Sequence, residues 1–235
     1  MEARDLPHEV EPEAHPAVPA LRVARRPEER LEDPLPQRRV LASASHELRS
    51  PLARLRMALA LVDDGSPVCA DAVRDIEELD ATVGDLLQVG RMQALDGPDR
   101  PEDVPLLVIA AEEASRVDGM ASGVDRVVRG DARLLRRMVR NLVENADRHG
   151  ARPIEVAVTA DGLEVLDRGP GIDPALRERI FEPFFRPAGH SEGRDGGVGL
   201  GLHLVREIAR FHRGDVVAEP REGGGTRFVV RLPSR

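Results

Sequence analysis

The apolar residues near the start of the chain step at helical spacing. Leu41, Ala44, Leu48, Leu52, Leu55, Leu59 and Val62 recur every three or four residues, which places them on one face of an α-helix. The pattern predicts a helix over about residues 37–62. Asp64-Gly65-Ser66-Pro67 is a turn signal. A second amphipathic helix is predicted over about residues 68–95, with Val73, Ile76, Leu79, Val83, Leu86 and Leu87 as its stripe. Two antiparallel helices with one apolar face each cover themselves poorly, whereas two such hairpins can pair into a four-helix bundle. A homodimer through the helix pair is therefore expected. Ahead of it, residues 1–36 hold seven prolines and many charges without a sustained period. They read as a disordered or extended leader.

Asp96-Gly97-Pro98-Asp99-Arg100-Pro101 breaks the helical pattern. Residues 97–103 are read as a linker between a helical domain, 37–96, and a second domain, 104–235. In the second domain helix and strand patterns alternate. Residues 104–117 read as a helix and 124–128 as a short strand. Asp131 is a good N-cap for a helix that ends at Gly150, with Leu134, Leu135, Met138, Val139, Leu142, Val143 and Ala146 as its core face. Residues 153–159 alternate, Asp161-Gly162 is a hairpin signal, and 163–166 return. A short helix over about 174–180, a helix over 201–211, and strands at 215–219 and 227–232 complete the series. The sum is a helical hairpin followed by an α+β sandwich, a mixed sheet with helices on one face.

Composition narrows the function. The net charge is −8, and every positive side chain is arginine because the chain has no lysine. An acidic balance argues against a nucleic-acid partner, which needs a basic face. The single cysteine, Cys69, excludes an intramolecular disulfide framework and fits a reducing compartment. No apolar run approaches the roughly 20 residues that span a bilayer, and Met1–Asp5 is charged with no apolar segment after it. The expectation is a cytoplasmic protein or the cytoplasmic part of a longer one.

The candidate chemistry begins on the first helix. His46 lies off the apolar stripe, beside Glu47, and Ser50 follows one turn later on the same face. Pro51 then removes a helical hydrogen bond and crowds the carbonyl of Glu47. Four further segments stand out downstream. Asn141 and Asn145 are stacked amides at four-residue spacing. Asp167-Arg168-Gly169-Pro170-Gly171 follows a strand, and glycines there let a flat group approach the backbone. Phe181-Glu182-Pro183-Phe184-Phe185 gathers three of the five phenylalanines. Gly197-Val198-Gly199-Leu200-Gly201-Leu202 leads into a helix, where free backbone N–H groups form an anion site. Each segment alone has a structural explanation: a surface histidine, a solvated polar face, a plain turn, a core plug.

Together they do not. Ser45-His46-Glu47-Leu48-Arg49-Ser50-Pro51-Leu52 resembles the phosphoacceptor box of sensor histidine kinases, with Ser50 where the family mostly has threonine. The four downstream segments resemble the N, D-x-G-x-G, F and G boxes of the same family, in family order. Gly224–Thr226 resembles a further glycine-threonine element. The resemblance implies ATP and Mg²⁺ as cofactors. It implies that Asn145 coordinates Mg²⁺, that Asn141 and Arg148 lie near the phosphates, and that Asp167 with Gly169 and Gly171 receives adenine. Phe185 anchors a lid over about residues 186–196, in which Arg194 meets the terminal phosphate. Gly197, Gly199, Leu200, Gly201 and Leu202 hold the phosphates, supported by Thr226.

The implied activity is autophosphorylation of His46, with Glu47 as general base or orienting group, followed by transfer to an aspartate of a response regulator. Glu47 and Ser50 also fill the positions of the family's phosphatase element, and weakened phosphatase activity is expected. The alternative is a non-catalytic dimeric scaffold that docks a regulator and binds ATP structurally. One departure from the family is a shortened stretch between Glu113 and Asp131, where part of a strand is expected to be lost.

Overall fold

The structure is a computed structural model that describes Leu55, Met57 to Leu59, residues 67–187 and residues 198–233. The leader, most of the first predicted helix, and His46, Glu47 and Ser50 within it lie outside the described residues. The described elements all belong to one compact unit, Asp33–Arg235.

Helix α1, Pro67–Gln93, is the second helix of the predicted pair. Strand β1, Glu102–Pro105, and helix α2, Leu106–Ser115, follow. Val104 was expected in a helix but is extended. The residue before a proline is pushed out of the α region, so the helix begins after Pro105, and Val104 pairs with Val128. Strand β1 also starts inside the stretch read as linker. Strands β2, Met120–Gly123, and β3, Val127–Gly130, occupy the region where part of a strand was expected to be lost. Both are present. β3 pairs antiparallel with β1, and β2 runs parallel to β4, Glu155–Val158. β2 escapes the sequence pattern because it is an edge strand with mostly exposed side chains; it is held by backbone hydrogen bonds such as Met120 N–H to Ile154 O at 3.0 Å.

Helix α3, Ala132–His149, begins where the cap residue predicts. The Asp131 carboxylate accepts from Arg133 N–H at 2.9 Å and Leu134 N–H at 3.1 Å, satisfying donors that have no intrahelical partner. Its predicted core face is buried at every position. Strand β5 is Gly162–Leu166; residues 174–178 form turns rather than the predicted short helix and lead to a single 3₁₀ turn, Arg179–Phe181. Helix α4, Gly201–Phe211, and strands β6, Asp215–Pro220, and β7, Thr226–Arg231, complete the fold.

The main sheet has the order β2-β4-β5-β7-β6, parallel only at β2–β4. Register aligns Val156, Val165, Phe228 and Ala218 in one row across four strands, and Val158, Leu163, Val230 and Val216 in another. All eight side chains are buried. They join the apolar faces of α2, α3 and α4 in one core. The opposite face carries polar rows, in which Arg227 pairs with Glu164 and Glu219. A sheet polar on one side and apolar on the other can cover only one face with helices.

The last turns of α1 reach this core through Val89 and Met92. Asp85 pairs with Arg137 of α3, and Gln93 donates to Glu207 of α4 at 3.0 Å. Burial raises the Asp85 pKa, outweighing the charge and hydrogen bond of Arg137. Along the rest of the helix pair the chain leaves apolar residues open: Leu55 and Leu79 are each 53% exposed, and Leu86 is 41% exposed. No described helix is long and apolar enough to cross a membrane.

Candidate functional site

The predicted site residues of the second domain come from α3, the end of β5, the segment after the 3₁₀ turn, the start of α4, and the start of β7. Asn141, Asn145 and Arg148 form a stripe on α3 opposite its core face. Asn141 Nδ2 donates to the carbonyl oxygen of Gly201 at 3.2 Å, tying α3 to the start of α4. The Asn145 amide is half-buried and has no hydrogen-bond partner among the described residues. Arg148 is exposed, and its guanidinium makes no ion pair among them.

Asp167 directly follows β5 and is 3% exposed. Its Oδ1 accepts from Gly169 N–H at 2.7 Å and Thr226 N–H at 3.3 Å. Its own N–H donates to Thr226 O at 3.0 Å. Among the described residues Oδ2 accepts no hydrogen bond. Oδ2 is also not among the described side-chain atoms that are both buried and unpartnered, so this oxygen of a buried residue stays open to solvent, and the site suits a ligand that donates a hydrogen bond there. The surrounding backbone is close. A β-carbon on Gly150 would come within 2.6 Å of Asp167 Cβ, and one on Gly169 within 2.6 Å of Gly150 Cα. Gly150 therefore does more than end α3. Its φ of −92° is not left-handed; glycine is needed there for room.

Gly171 lies against the Gly225 carbonyl, joining the D-x-G-x-G segment to the glycine turn. Arg168 Nη1 donates to Glu222 O at 2.8 Å across the same junction. Thr226 is 5% exposed.

The aromatic segment docks on α4. Phe181 is buried edge-on against Phe228, with centroids 6.3 Å apart. Arg206 of α4 stacks 4.2 Å over the Phe181 ring, and Arg179 stacks 4.4 Å over Phe185. His203 Nδ1 lies 3.1 Å from Phe181 O. Phe184 N–H donates to Gly199 O at 3.1 Å. Gly199 has φ +80°, and its α-carbon faces the Phe184 and Phe185 backbone so closely that a β-carbon would sit at 3.1 Å; both facts require glycine. The two sides of the predicted lid thus meet at its stem. Arg194 and Gly197 lie outside the described residues. Leu200 is buried and caps α4, Leu202 packs half-buried on the core, and Gly201 is exposed with open space around its α-carbon.

Elsewhere, a small recess of about 130 Å³ between α2 and α3 is lined by Glu113, Arg116, Arg140 and Glu144. Glu113 is 2% exposed and accepts from Arg140 Nε and Nη2 at 2.9 and 3.0 Å. Burial pushes its carboxyl up, but the hydrogen bonds and charge of Arg140, with Arg116 and Arg136, outweigh burial and hold it below its ordinary value. These charges satisfy one another and brace α2 on α3. Gly150, Arg206 and Arg221 contribute to the site without having been singled out. Gly150 was legible only as a helix end, and the two arginines sit in no motif.

Comparison with known families agrees with this geometry. Residues 36–95 match the His Kinase A (phospho-acceptor) domain. Residues 130–235 match the histidine kinase-, DNA gyrase B-, and HSP90-like ATPase domain. The chain belongs to the sensor histidine kinase family. Among its relatives, the sensor protein CutS of Streptomyces coelicolor is 34% identical over 218 residues, covering 84% of this chain and 53% of CutS. The sensor histidine kinase CpxA of Escherichia coli is 36% identical over 215 residues, covering 84% of this chain and 47% of CpxA. The chain spans about half the length of these curated relatives. Two solved structures share the fold. ShkA in complex with AMPPNP aligns with a TM-score of 0.63 at 22% identity, over 84% of this chain and 47% of ShkA. The histidine kinase AdeS of Acinetobacter baumannii aligns with a TM-score of 0.53 at 20% identity, over 81% of this chain and 98% of AdeS.

Proposed function

We propose that this chain is an ATP-dependent protein histidine kinase that phosphorylates its own His46 and passes the phosphoryl group to an aspartate of a response regulator. The carrying observation is the buried Asp167, whose Oδ2 is left without a protein donor where the glycines of three segments bring backbone close. That arrangement suits a flat base with an exocyclic amine. Family membership gives the same reading for the second half of the chain.

ATP would lie with its base at Asp167, Gly169 and Gly171 and its phosphates toward Gly197, Gly199, Leu200, Gly201 and Leu202, with Arg148 and Arg194 as cationic contacts. Thr226 fixes Asp167, and Phe185 anchors the lid. The unpartnered amide of Asn145, with Asn141 one turn away, suits Mg²⁺, which takes oxygen ligands and few protein groups. Mg²⁺ would supply charge neutralisation at the transferring phosphoryl. A neutral imidazole nitrogen of His46 is the nucleophile, and an unperturbed pKa near 6.5 leaves it mostly neutral at neutral pH. Glu47 takes or orients the ring proton. The bond between the γ-phosphorus and its bridging oxygen breaks as nitrogen and phosphorus join, and ADP leaves.

The division of labour follows the predicted domains, 37–96 for dimerisation and phosphotransfer and 104–235 for catalysis. Leu55, Leu79 and Leu86, uncovered by their own chain, support a homodimer through the helix pair. ATP as phosphoryl donor places the activity in the cytoplasm.

The deciding experiment is incubation with γ-labelled ATP and Mg²⁺. Acid-labile label is expected in the wild type and is lost in His46→Gln and Asn145→Ala. Label that persists in His46→Gln overturns the assignment, and a chain that binds ATP without labelling under any condition is the scaffold instead. The phosphatase reading has its own measurement, the half-life of a phosphorylated regulator. The chain is expected to shorten it modestly, because Ser50 keeps the hydroxyl but lacks the methyl that restricts a threonine rotamer. An unchanged half-life removes that activity.

A further inference from the structure

The turn before β7 carries a buried arginine that none of the boxes explains. The side chain of Arg221 is 8% exposed. Its Nη2 donates to Glu155 Oε1 at 2.7 Å, and its Nη1 donates to the backbone carbonyl oxygen of Asp167 at 3.4 Å. Its own N–H donates to Gly225 O at 3.1 Å. One residue thereby joins the start of β4, the end of β5 and the glycine turn. The planar fork of a guanidinium can hold two acceptors at a fixed separation, which a shorter or single-donor side chain cannot do.

This junction is where Asp167 gets its position. Gly225 lies so close to the Asp167 carbonyl that a β-carbon on it would stand 2.1 Å away. The next residue, Thr226, donates to Oδ1. Gly150 lies so close to the Asp167 side chain that a β-carbon on it would stand 2.6 Å from Cβ and Cγ. Asp167 is therefore set between a helix end and a turn, and Arg221 holds the turn. Because hydrogen bonds weaken steeply with misalignment, a small displacement of the turn takes Oδ2 out of line with a donor on the ligand.

We propose that Arg221 is a positioning residue that aims the Asp167 carboxylate at the nucleotide base and so sets the preference for a purine carrying a 6-amino group. The inference rests on the reading of Asp167 as the acceptor for that amine. Arg221 itself touches no substrate.

The test measures affinity of the full chain by calorimetry, with Mg²⁺, for ATP and for purine riboside triphosphate, which is ATP without the 6-amino group. The wild type is expected to prefer ATP by roughly 10- to 100-fold, the range of one hydrogen bond to a charged acceptor. Asp167→Asn should remove the preference. Arg221→Gln should reduce it to about threefold or less while changing affinity for the purine analogue far less, and Arg221→Lys should fall between. If Arg221→Gln keeps the wild-type preference, even with both affinities lowered together, the residue is only a structural brace and the proposal is overturned. A wild type without any preference overturns the Asp167 reading and this inference with it. If circular dichroism shows Arg221→Gln unfolded, Arg221→Lys decides: reduced preference supports the proposal, and full preference overturns it.

Discussion

At the scale of single residues, the site depends on what is absent from three positions. Gly150, Gly169 and Gly225 carry no β-carbon, and the Asp167 backbone and carboxylate occupy the space. Gly225 is the most demanding, because its φ of +105° is also left-handed. Gly224 is a natural control, with φ +100° but open space around it. Alanine at either position pays the backbone strain, of order 1–3 kcal/mol. Only Gly225→Ala also pushes on Asp167. ATP affinity measured by calorimetry should fall about tenfold or more in Gly225→Ala and change by about threefold or less in Gly224→Ala. Equal losses would mean that strain in the turn, rather than contact with Asp167, governs binding.

At the scale of elements, α3 carries both the core and the polar stripe of the site, so its start sets the height of Asn141 and Asn145 along the sandwich. Asp131 fixes that start twice. Its carboxylate caps the helix, and its N–H donates to His212 Nε2 at 3.0 Å. Asp131→Ala removes only the first of these and should cost about 1 kcal/mol, with Asp131→Ser or Asp131→Asn close to wild type. Urea unfolding followed by circular dichroism reads this directly. The helix was legible because cap and core periodicity agree with the tertiary environment. The strand at 120–123 was not, since its pairing comes from distant backbone, and the strand read over 124–128 lies instead at 127–130. The helix predicted over 174–180 yielded to turns that bring Ile180 and Phe181 into the core.

At the scale of the whole molecule, α4 and the β3–α3 junction are joined by a buried histidine. His212 is 4% exposed; its Nδ1 lies 2.8 Å from Ile208 O and its Nε2 accepts from Asp131 N–H. Both contacts fit a neutral ring protonated at Nδ1. Burial lowers its pKa, against the hydrogen bond to Ile208 and the charge of Asp131. The unfolded chain, with a pKa near 6.5, takes up the proton first as pH falls. Stability is therefore full above about pH 6.5 and declines below it until the folded-state pKa is reached. Glu113, also lowered, adds a loss that starts near its ordinary carboxylate value and runs below it, while Asp85, raised, takes up its proton in the folded state first and so adds stability as pH falls towards its own ordinary value, above that window. Unfolding free energy measured at pH 7.5 and 5.5 should fall, and His212→Gln should flatten the slope. A slope unchanged by that substitution would place the proton uptake elsewhere.

Local chemistry written along the chain determined much of this protein. The cap and core face of α3, the start of α4, the two closing strands and the order of the boxes depend on neighbours within a few residues, and each is readable from the sequence. Tertiary structure alone decided the rest. Gly150 meets the Asp167 side chain, Gly225 meets the backbone carbonyl of the same residue, Phe184 meets Gly199, and Arg221 bridges Glu155 and Asp167. These contacts join residues up to 66 positions apart (Glu155 to Arg221). No local pattern encodes them, because the requirement on each residue is set by the space and the hydrogen-bonding groups that another part of the chain brings to it.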